Sequence, residues 1–370
     1  MTKGLLGLAL LVMAIAPRAQ ALPLYASRVG ATCVTCHYDP NGGGIRNEFG
    51  FQYEKNRHAL EEEERWAKFT VDPKITPWLQ VGFDTRVLYV ASHTSSSGGT
   101  YLDTSTFFPM QGQVNFAVTP LDNLTLIASH GLVVQNPGFP SGYLARELYA
   151  LFRGIPADLY AKVGRFRLPF GLRQDDHTSF IRSTRFLPYD SQQDDAGIEV
   201  GSVGKNWFAE GSFTNGGAPF GQKAGTFSAK VGRASEAFQV GASGYHRAAS
   251  GTTVATADRW GLYAGATRGP VTLLGEYAGG TNDGDYTFST FDSHAAFAAI
   301  DYRVSRGLDF LGKFDYFDQT GYFASSDRRY TLECDLNPMP FTEIQVSYRH
   351  YDYSNASNMD EYLAMLYIPF

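Results

Sequence analysis

The stretch LQVGFDTRVLY, residues 79–89, alternates apolar and polar side chains with a period of two. Its odd-numbered positions are apolar apart from one threonine, whereas Gln80, Asp84 and Arg86 fall on the other face. A period of two is typical of a β-strand that has one apolar face.

Two later segments, LDFLGKFDYF (308–317) and TEIQVSYRHY (342–351), alternate in the same way. Each has charged residues on one face and bulky apolar residues on the other. Charge inside and apolar side chains outside would be inverted for a soluble protein, but this is the pattern of a membrane barrel with a water-filled bore. The expected fold class is therefore all-β, a transmembrane antiparallel β-barrel.

About sixteen such runs follow one another, an even number, as bacterial outer-membrane barrels require. They lie near residues 76–91, 105–118, 123–135, 142–153, 157–167, 194–203, 205–215, 223–233, 236–248, 257–268, 270–280, 291–303, 307–319, 327–337, 340–353 and 359–370.

The connections between these runs alternate in length. Short turns such as RGIP, SVGK and RGP are interleaved with longer segments such as AASGTTVATAD and GTNDGDYTFSTFD. Outer-membrane barrels pair short periplasmic turns with long outside loops, so both ends of the barrel are expected on the periplasmic side. A soluble β-sandwich is the alternative fold, and it does not require this parity. The final residue, Phe370, resembles the C-terminal signature of bacterial outer-membrane proteins.

Composition supports a membrane protein and excludes nucleic-acid binding. Of the 370 residues, 18% are charged and 14% are aromatic, which is less charge and more aromatic content than soluble domains carry. The net charge is −6 and no basic stripe occurs along the chain, so nucleic acid is not expected as a partner.

The beginning of the chain predicts export. Residues 1–21 have a basic start, a short apolar stretch and alanines placed for cleavage, the pattern of a signal peptide. We expect three parts: the signal peptide at 1–21, a small segment at 22–75, and the barrel at 76–370.

The segment 22–75 contains ATCVTCHYDPNGGG at residues 31–44. Cys33 and Cys36 are followed at once by His37, the spacing of a c-type haem attachment site. A zinc site would need a second pair of ligands, and a redox disulfide would need a thioredoxin-like context; neither is visible. We therefore expect one haem c, bound covalently through the two thiols, with His37 as the proximal iron ligand.

The second axial ligand is left open by the sequence. Residues 22–75 contain no methionine, and the other histidine there is His58, in a stretch that reads as helix. This stretch could fold back over the haem after Gly42–Gly44, with Phe49 and Phe51 among the rings that shield it. His58 is the candidate distal ligand. Alternatively, it is a surface residue, and the sixth position is open or filled from the barrel.

The stretch LPLYASRVGATCVTCH, residues 22–37, is similar to the mature start of the fused monohaem cytochrome-porins of bacterial outer membranes. The resemblance implies a barrel of roughly sixteen strands behind the haem segment. Because both ends of the barrel are expected on the periplasmic side, this helical segment should plug the bore from below or hang beneath it. The resemblance also implies electron transfer from an extracellular donor such as Fe(II) to a periplasmic c-type cytochrome, an Fe(II):cytochrome c oxidoreductase type of reaction.

A second stretch favours other functions. GRFRLPFGLRQDDHTSFIR, residues 164–182, looks more like porins of the phosphate-selective kind. The alternatives are an anion-selective diffusion porin whose haem segment is a plug or gate, and a conduit that reduces an extracellular acceptor.

Two features of the barrel are also predicted. The long connection 168–193 either folds inward as a constriction or forms an exposed lid, and its Asp175 and Asp176 could attract a cation, as could Asp84. Cys334 alternates with apolar residues and should face lipid.

Overall fold

A computed structural model of the chain describes residues 32–58, 60, 72–95, 101–132, 146–174, 176, 178–182, 194–204, 206–216, 223–235, 238–250, 256–283, 290–321 and 324–370. The predicted signal peptide, residues 1–21, lies outside the described residues, as does the acidic run at 61–64.

The described chain is dominated by antiparallel strands. A three-residue strand, β1, precedes sixteen longer ones. The strands are β1 Lys74–Thr76, β2 Leu79–Ser95, β3 Tyr101–Leu121, β4 Leu124–Gly131, β5 Leu148–Ile155, β6 Leu159–Phe166, β7 Asp195–Val203, β8 Trp207–Thr214, β9 Lys223–Ala234, β10 Phe238–Ser250, β11 Ala257–Arg268, β12 Val271–Asn282, β13 Phe291–Ser305, β14 Leu308–Gln319, β15 Ser325–Met339, β16 Thr342–Asp352 and β17 Met359–Pro369.

The sheet closes on itself. Each strand from β2 to β17 pairs with its neighbours in chain order, and β17 pairs back onto β2 from Met359 opposite Thr94 to Pro369 opposite Asp84. The result is a closed barrel of sixteen antiparallel strands, with β1 paired only onto the start of β2. Closure satisfies the hydrogen-bonding groups that an edge strand would expose.

The sixteen predicted runs are confirmed. The run predicted at 257–268 coincides with β11, and the largest shift is at β5, which starts at Leu148 rather than at residue 142. The boundary predicted between residues 75 and 76 falls within β1.

The two faces of the wall have the predicted polarity. Outward side chains are apolar and uncovered, as at Phe213 and Leu332, which are 67% and 66% exposed. Inward side chains include Lys162 and Arg329, both 0% exposed. The prediction for Cys334 also agrees with the structure: together with Leu332 and Ala364, it lines an apolar groove of about 720 Å³ on the outer face.

Short turns join the strands at the rim where β2 begins and β17 ends, here called the short-turn rim. Gly269 and Gly307 occupy two of these turns with φ of 58° and 70°, a conformation that costs glycine little. The connections at the opposite rim, the long-loop rim, are longer, as in 132–147 between β4 and β5.

Residues 32–58 form what we call the N-terminal segment. It contains one helical turn, α1 Cys33–Cys36, a second helix, α2 Glu48–Tyr53, and a wider π-helical turn at Glu54–His58. In the described part of the chain, no helix has the length and apolar character needed to span a bilayer.

Helix α2 packs on the short-turn rim. Phe51 is buried against Phe341 and the terminal Phe370, with ring centroids 4.8 and 5.7 Å away. Asn47 caps the helix by accepting a hydrogen bond from the backbone N–H of Gly50 at 3.0 Å. The N-terminal segment is therefore fixed to the rim where the barrel begins and ends.

Candidate functional site

The two cysteines of the attachment motif lie on one helical turn inside the barrel. The backbone N–H of His37 donates to the carbonyl of Cys33 at 3.0 Å, which closes the turn α1. No disulfide joins Cys33, Cys36 and Cys334. Burial raises the pKa of the Cys33 thiol to about 11, and the inward charges of Lys230 and Glu210 lie close enough to affect it.

Glycines pack tightly around this turn. A Cβ at Gly42, whose φ is +84°, would lie 3.1 Å from the Cys33 Sγ. A Cβ at Gly50 would lie 2.1 Å from the carbonyl oxygen of Cys36, closer than atoms can approach. Helix α2 therefore packs directly on the cysteine turn because residue 50 has no side chain.

The ring of His37 is oriented by one hydrogen bond. Its Nδ1 lies 3.3 Å from the carbonyl oxygen of Gly44, an acceptor, so Nδ1 carries the proton and Nε2 keeps its lone pair. Burial, together with the positive charges of Arg46 and Arg173, lowers the pKa of His37 to about 3. A neutral imidazole with a free Nε2 is the form that binds iron.

The donor set fits a covalent haem. Two thiols on one turn, a neutral imidazole directly after them and a backbone carbonyl that fixes its tautomer are the groups that a c-type haem needs. All three side chains are half-buried rather than sealed off. If haem is bound here, Cys33 and Cys36 hold it through thioethers and His37 ligates the iron.

Buried charges fasten the residues that follow His37 to the barrel wall. The Lys162 Nζ on β6 lies 2.7 Å from the Asp39 carboxylate and 2.8 Å from that of Glu199 on β7. Burial alone would raise the pKa of Asp39, but Lys162 and Arg173 outweigh it and hold the pKa below its usual range.

Asn41 adds further contacts to the wall. Its side-chain Nδ2 donates to Glu199 Oε1 at 3.2 Å, and its Oδ1 accepts from the Lys230 Nζ on β9 at 2.8 Å. Lys230 also lies 3.1 Å from Glu210 on β8. The loop after the haem motif is therefore bonded directly to β6, β7 and β9, and Lys230 links it to Glu210 on β8.

The described residues of the connection between β6 and β7 fold into the bore, which favours the constriction among the two alternatives left open by the sequence. We call residues 167–174, 176 and 178–182 of this connection the inward loop. The Pro169 carbonyl accepts from Ser228 Oγ on β9 at 2.8 Å, and Arg182 Nη2 lies 2.8 Å from Glu276 on β12. The loop thus crosses from one side of the bore to the other.

On the far side, Asp176 is neutralised by two cations. It lies 2.7 Å from the Lys313 Nζ on β14 and 2.8 Å from Arg329 Nη2 on β15. The suggestion that Asp176 attracts a cation from solution is therefore not supported. Asp175 and His177 lie outside the described residues.

The two insertions meet at Arg173. Its guanidinium lies 3.5 Å from Asp39 in the N-terminal segment and 3.4 Å from Glu147 just before β5. A Cβ at Gly43 would lie 2.3 Å from Arg173 Nε. The bore therefore contains a single interlocked body made of the N-terminal segment and the inward loop.

The other expected haem contacts differ from the sequence interpretation. Phe51 packs on the short-turn rim, and Phe49 is 51% exposed, so neither shields the motif from water. The side chain of His58 lies outside the described residues. The Asn56 carbonyl beside it accepts from Arg306 at 3.0 Å, which puts this end of the segment at the turn between β13 and β14. The distal ligand therefore stays a prediction.

Sequence reasoning missed the wall residues that hold the motif. Lys162 and Glu199 were visible as inward positions of the runs LYAKVGRF (159–166) and DAGIEVGSV (195–203). A period-two pattern assigns a face, but it does not say which inward charges meet across a bore.

A closed barrel of sixteen antiparallel strands, apolar outside and charged inside, defines an outer-membrane protein of the porin type. No protein-family model and no curated protein matches this chain significantly.

The fold is that of solved outer-membrane channels. It is similar to OmpT of Vibrio cholerae, with 11% identity, a TM-score of 0.61, and 81% of this chain and 100% of that chain covered. An anion-selective porin from Comamonas acidovorans gives 10% identity and a TM-score of 0.59 over 79% of this chain and 100% of its own. The channel DcaP of Acinetobacter baumannii gives 10% identity and a TM-score of 0.59 over 80% and 99%.

The chain is therefore a bacterial outer-membrane β-barrel with a porin-like fold. Since short turns face the periplasm in such barrels, the short-turn rim is the periplasmic one. Both ends of the barrel, and helix α2, lie on that side.

Proposed function

We propose that this protein transfers electrons across the outer membrane through one haem c attached to Cys33 and Cys36 within the bore. The observation that carries the proposal is the position of the attachment motif inside the barrel: Asp39 and Asn41, directly after it, are bonded to inward side chains of β6, β7 and β9.

Electron transfer between the cell surface and the periplasm requires a redox centre within the outer membrane. The hydrocarbon core of an outer membrane, about 25 Å thick, lets no free electrons pass. A covalently bound haem supplies a one-electron redox centre at this point of the barrel. In the proposal, His37 ligates the iron through Nε2, and the Gly44 carbonyl keeps the imidazole in the required tautomer.

The height of the motif in the bore decides which redox partner is nearer. Lys162 is three residues from the periplasmic end of β6, about 10 Å along the strand, so with a strand tilt of about 40° it lies about 8 Å above that rim. A periplasmic c-type cytochrome at the short-turn rim is therefore the near partner. An extracellular donor such as Fe(II) approaches through the long-loop rim. The midpoint potentials of the haem and its partners set the direction of electron flow. If electrons flowed outward from the periplasm, the protein would reduce an extracellular acceptor instead.

The test uses purified protein in detergent. We expect a Soret band with about one covalent haem per chain in the wild type, its loss in C33A/C36A, and its retention in C334S as the matched control. Addition of Fe(II) should reduce the haem. A colourless wild-type protein, or a haem that neither Fe(II) nor a reduced periplasmic cytochrome can reduce, would reject electron transfer.

A second candidate is a diffusion porin whose N-terminal segment acts as a plug. The inward loop and the likeness to solved porins, one of them anion-selective by name, favour it. Planar-bilayer recordings separate the two: a diffusion porin gives large steady currents in the wild-type protein, with or without haem.

A further inference from the structure

The haem attachment motif does not account for the buried charges around Asp39, so these charges need a separate explanation. Lys162 and Glu199 are 0% exposed and Asp39 is 1% exposed. Removing charges from water inside a barrel is costly unless each is paired with good geometry. In this barrel the pairing is completed by the N-terminal segment, because Asp39 lies 2.7 Å from the Lys162 Nζ.

The wall is built to receive this segment. The Lys162 ammonium lies over three aromatic rings, those of Tyr149, Tyr160 and Phe166, at 5.5 to 5.8 Å from their centroids. The Tyr160 hydroxyl donates to Glu199 at 2.8 Å. These contacts hold Lys162 in a single position facing Asp39, two residues beyond His37.

We propose that Lys162 is a positioning residue that locks the N-terminal segment in the bore and fixes the electrostatic environment of the haem-binding turn. The inference rests on the proposed haem for its redox part, whereas the locking part is independent of haem. Asn41 is the second half of the lock, because it bonds to Glu199 and Lys230 from the segment side.

The first test measures the midpoint potential of the haem. Nearby negative charge stabilises the oxidised iron and nearby positive charge the reduced iron. We therefore expect Lys162→Met to lower the potential and Asp39→Asn to raise it. Each shift should be about tenfold in the reduction equilibrium, or about 59 mV for one electron.

Midpoint potentials that shift in opposite directions in the two variants indicate electrostatic positioning. Simple loss of structure would shift the potential of both variants in the same direction. The matched control is Lys313→Met. Like Lys162, Lys313 is a buried lysine paired with two carboxylates, but it lies on β14, eight strands from β6 and therefore on the opposite wall. We expect the midpoint potential of the haem in the K313M variant to equal that of the wild type. Shifts of the same sign in K162M and D39N, or an equal shift in K313M, would overturn the inference.

The second test is haem-free. In a C33A/C36A background, Lys162→Met and Asn41→Ala should each raise the time-averaged conductance of a single channel severalfold, because the segment leaves the bore more often. The mobility of unheated and heated samples on gels reports whether each variant has folded. N41A leaves the barrel wall unchanged, so it remains informative if K162M folds poorly. Unchanged conductance in both folded variants would reject the lock. If the wild type binds no haem but both variants open, only the proposed function fails.

Discussion

Asp176 on the inward loop and Arg329 on β15 form a salt bridge of 2.8 Å inside the barrel. Arg329 is also held by Asp315 at 2.7 Å, so the guanidinium joins the loop to the wall. The loop leaves the wall after β6 and is fastened on the other side of the bore. This relationship makes the loop a fixed constriction.

Replacing Asp176 with asparagine should loosen this constriction. Lys313 and Arg329 would keep Asp315 but lose their bonds to the carboxylate at position 176, at a cost of about 1.5–3 kcal/mol for a hydrogen bond to a charged group. Arg329 would still donate to the Thr178 carbonyl at 3.1 Å, so the loop is loosened rather than released. We expect larger and noisier single-channel currents and faster protease cleavage of the loop. Asp352→Asn is the control, because its pair with Arg328 is exposed and contributes little. Identical currents in D176N and wild type would show that the loop is held by other contacts.

The same clamp should resist acid. Burial alone would raise the pKa of Asp176, but Lys313 and Arg329 outweigh it and hold the pKa well below its usual range. Its stabilisation is fully present above the unfolded pKa of about 3.9 and is lost only as the pH falls through the lower folded value. Conductance recorded from pH 7 down to about pH 4 should therefore stay constant. A midpoint near pH 5 would contradict this assignment.

Gly50 should be required for haem attachment. An alanine there favours a helix by roughly 0.5–1 kcal/mol, but its Cβ would lie 2.1 Å from the Cys36 carbonyl, so α2 must move away from the cysteine turn. We expect Gly50→Ala to lower the ratio of Soret to protein absorbance. Gly211→Ala is the matched control, since no atom lies within 4 Å of its added Cβ. Full haem content in G50A would show that the turn does not depend on this packing.

The strands of the barrel wall could be predicted from the sequence, but the contacts inside the bore could not. Alternation of side chains predicted each of the sixteen strands and the outward position of Cys334, because one face of every strand meets lipid and the other meets the interior. Lys162 and Asp39 are 123 residues apart in the chain, and no local pattern connects them. Their pairing depends on the depth to which the N-terminal segment enters, which is a tertiary property.

The inward loop illustrates the same limit. Its mixed charge is compatible with an exposed lid and with a constriction, since solvated and paired charges have the same composition. The decision depends on Glu276, Lys313 and Arg329, which lie about a hundred residues or more further along the chain. The haem motif differs, because its chemistry is contained in five consecutive residues from Cys33 to His37.

Phe51 should anchor the N-terminal segment to the barrel. It packs between Phe341 and Phe370, and truncating a buried phenylalanine costs roughly 3–5 kcal/mol. We expect Phe51→Ala to release α2 from the short-turn rim, so that the amides of Glu48–Tyr53 exchange faster with deuterium while the barrel strands keep their protection. Phe49 lies on the same helix but is 51% exposed, so Phe49→Ala should leave the exchange unchanged. Comparing F51A with F49A tests the rim contact separately, because Lys162 holds the N-terminal segment from inside the bore whereas Phe51 holds it at the rim. If F51A exchanges no faster than F49A, the buried ion pairs alone keep the segment in place.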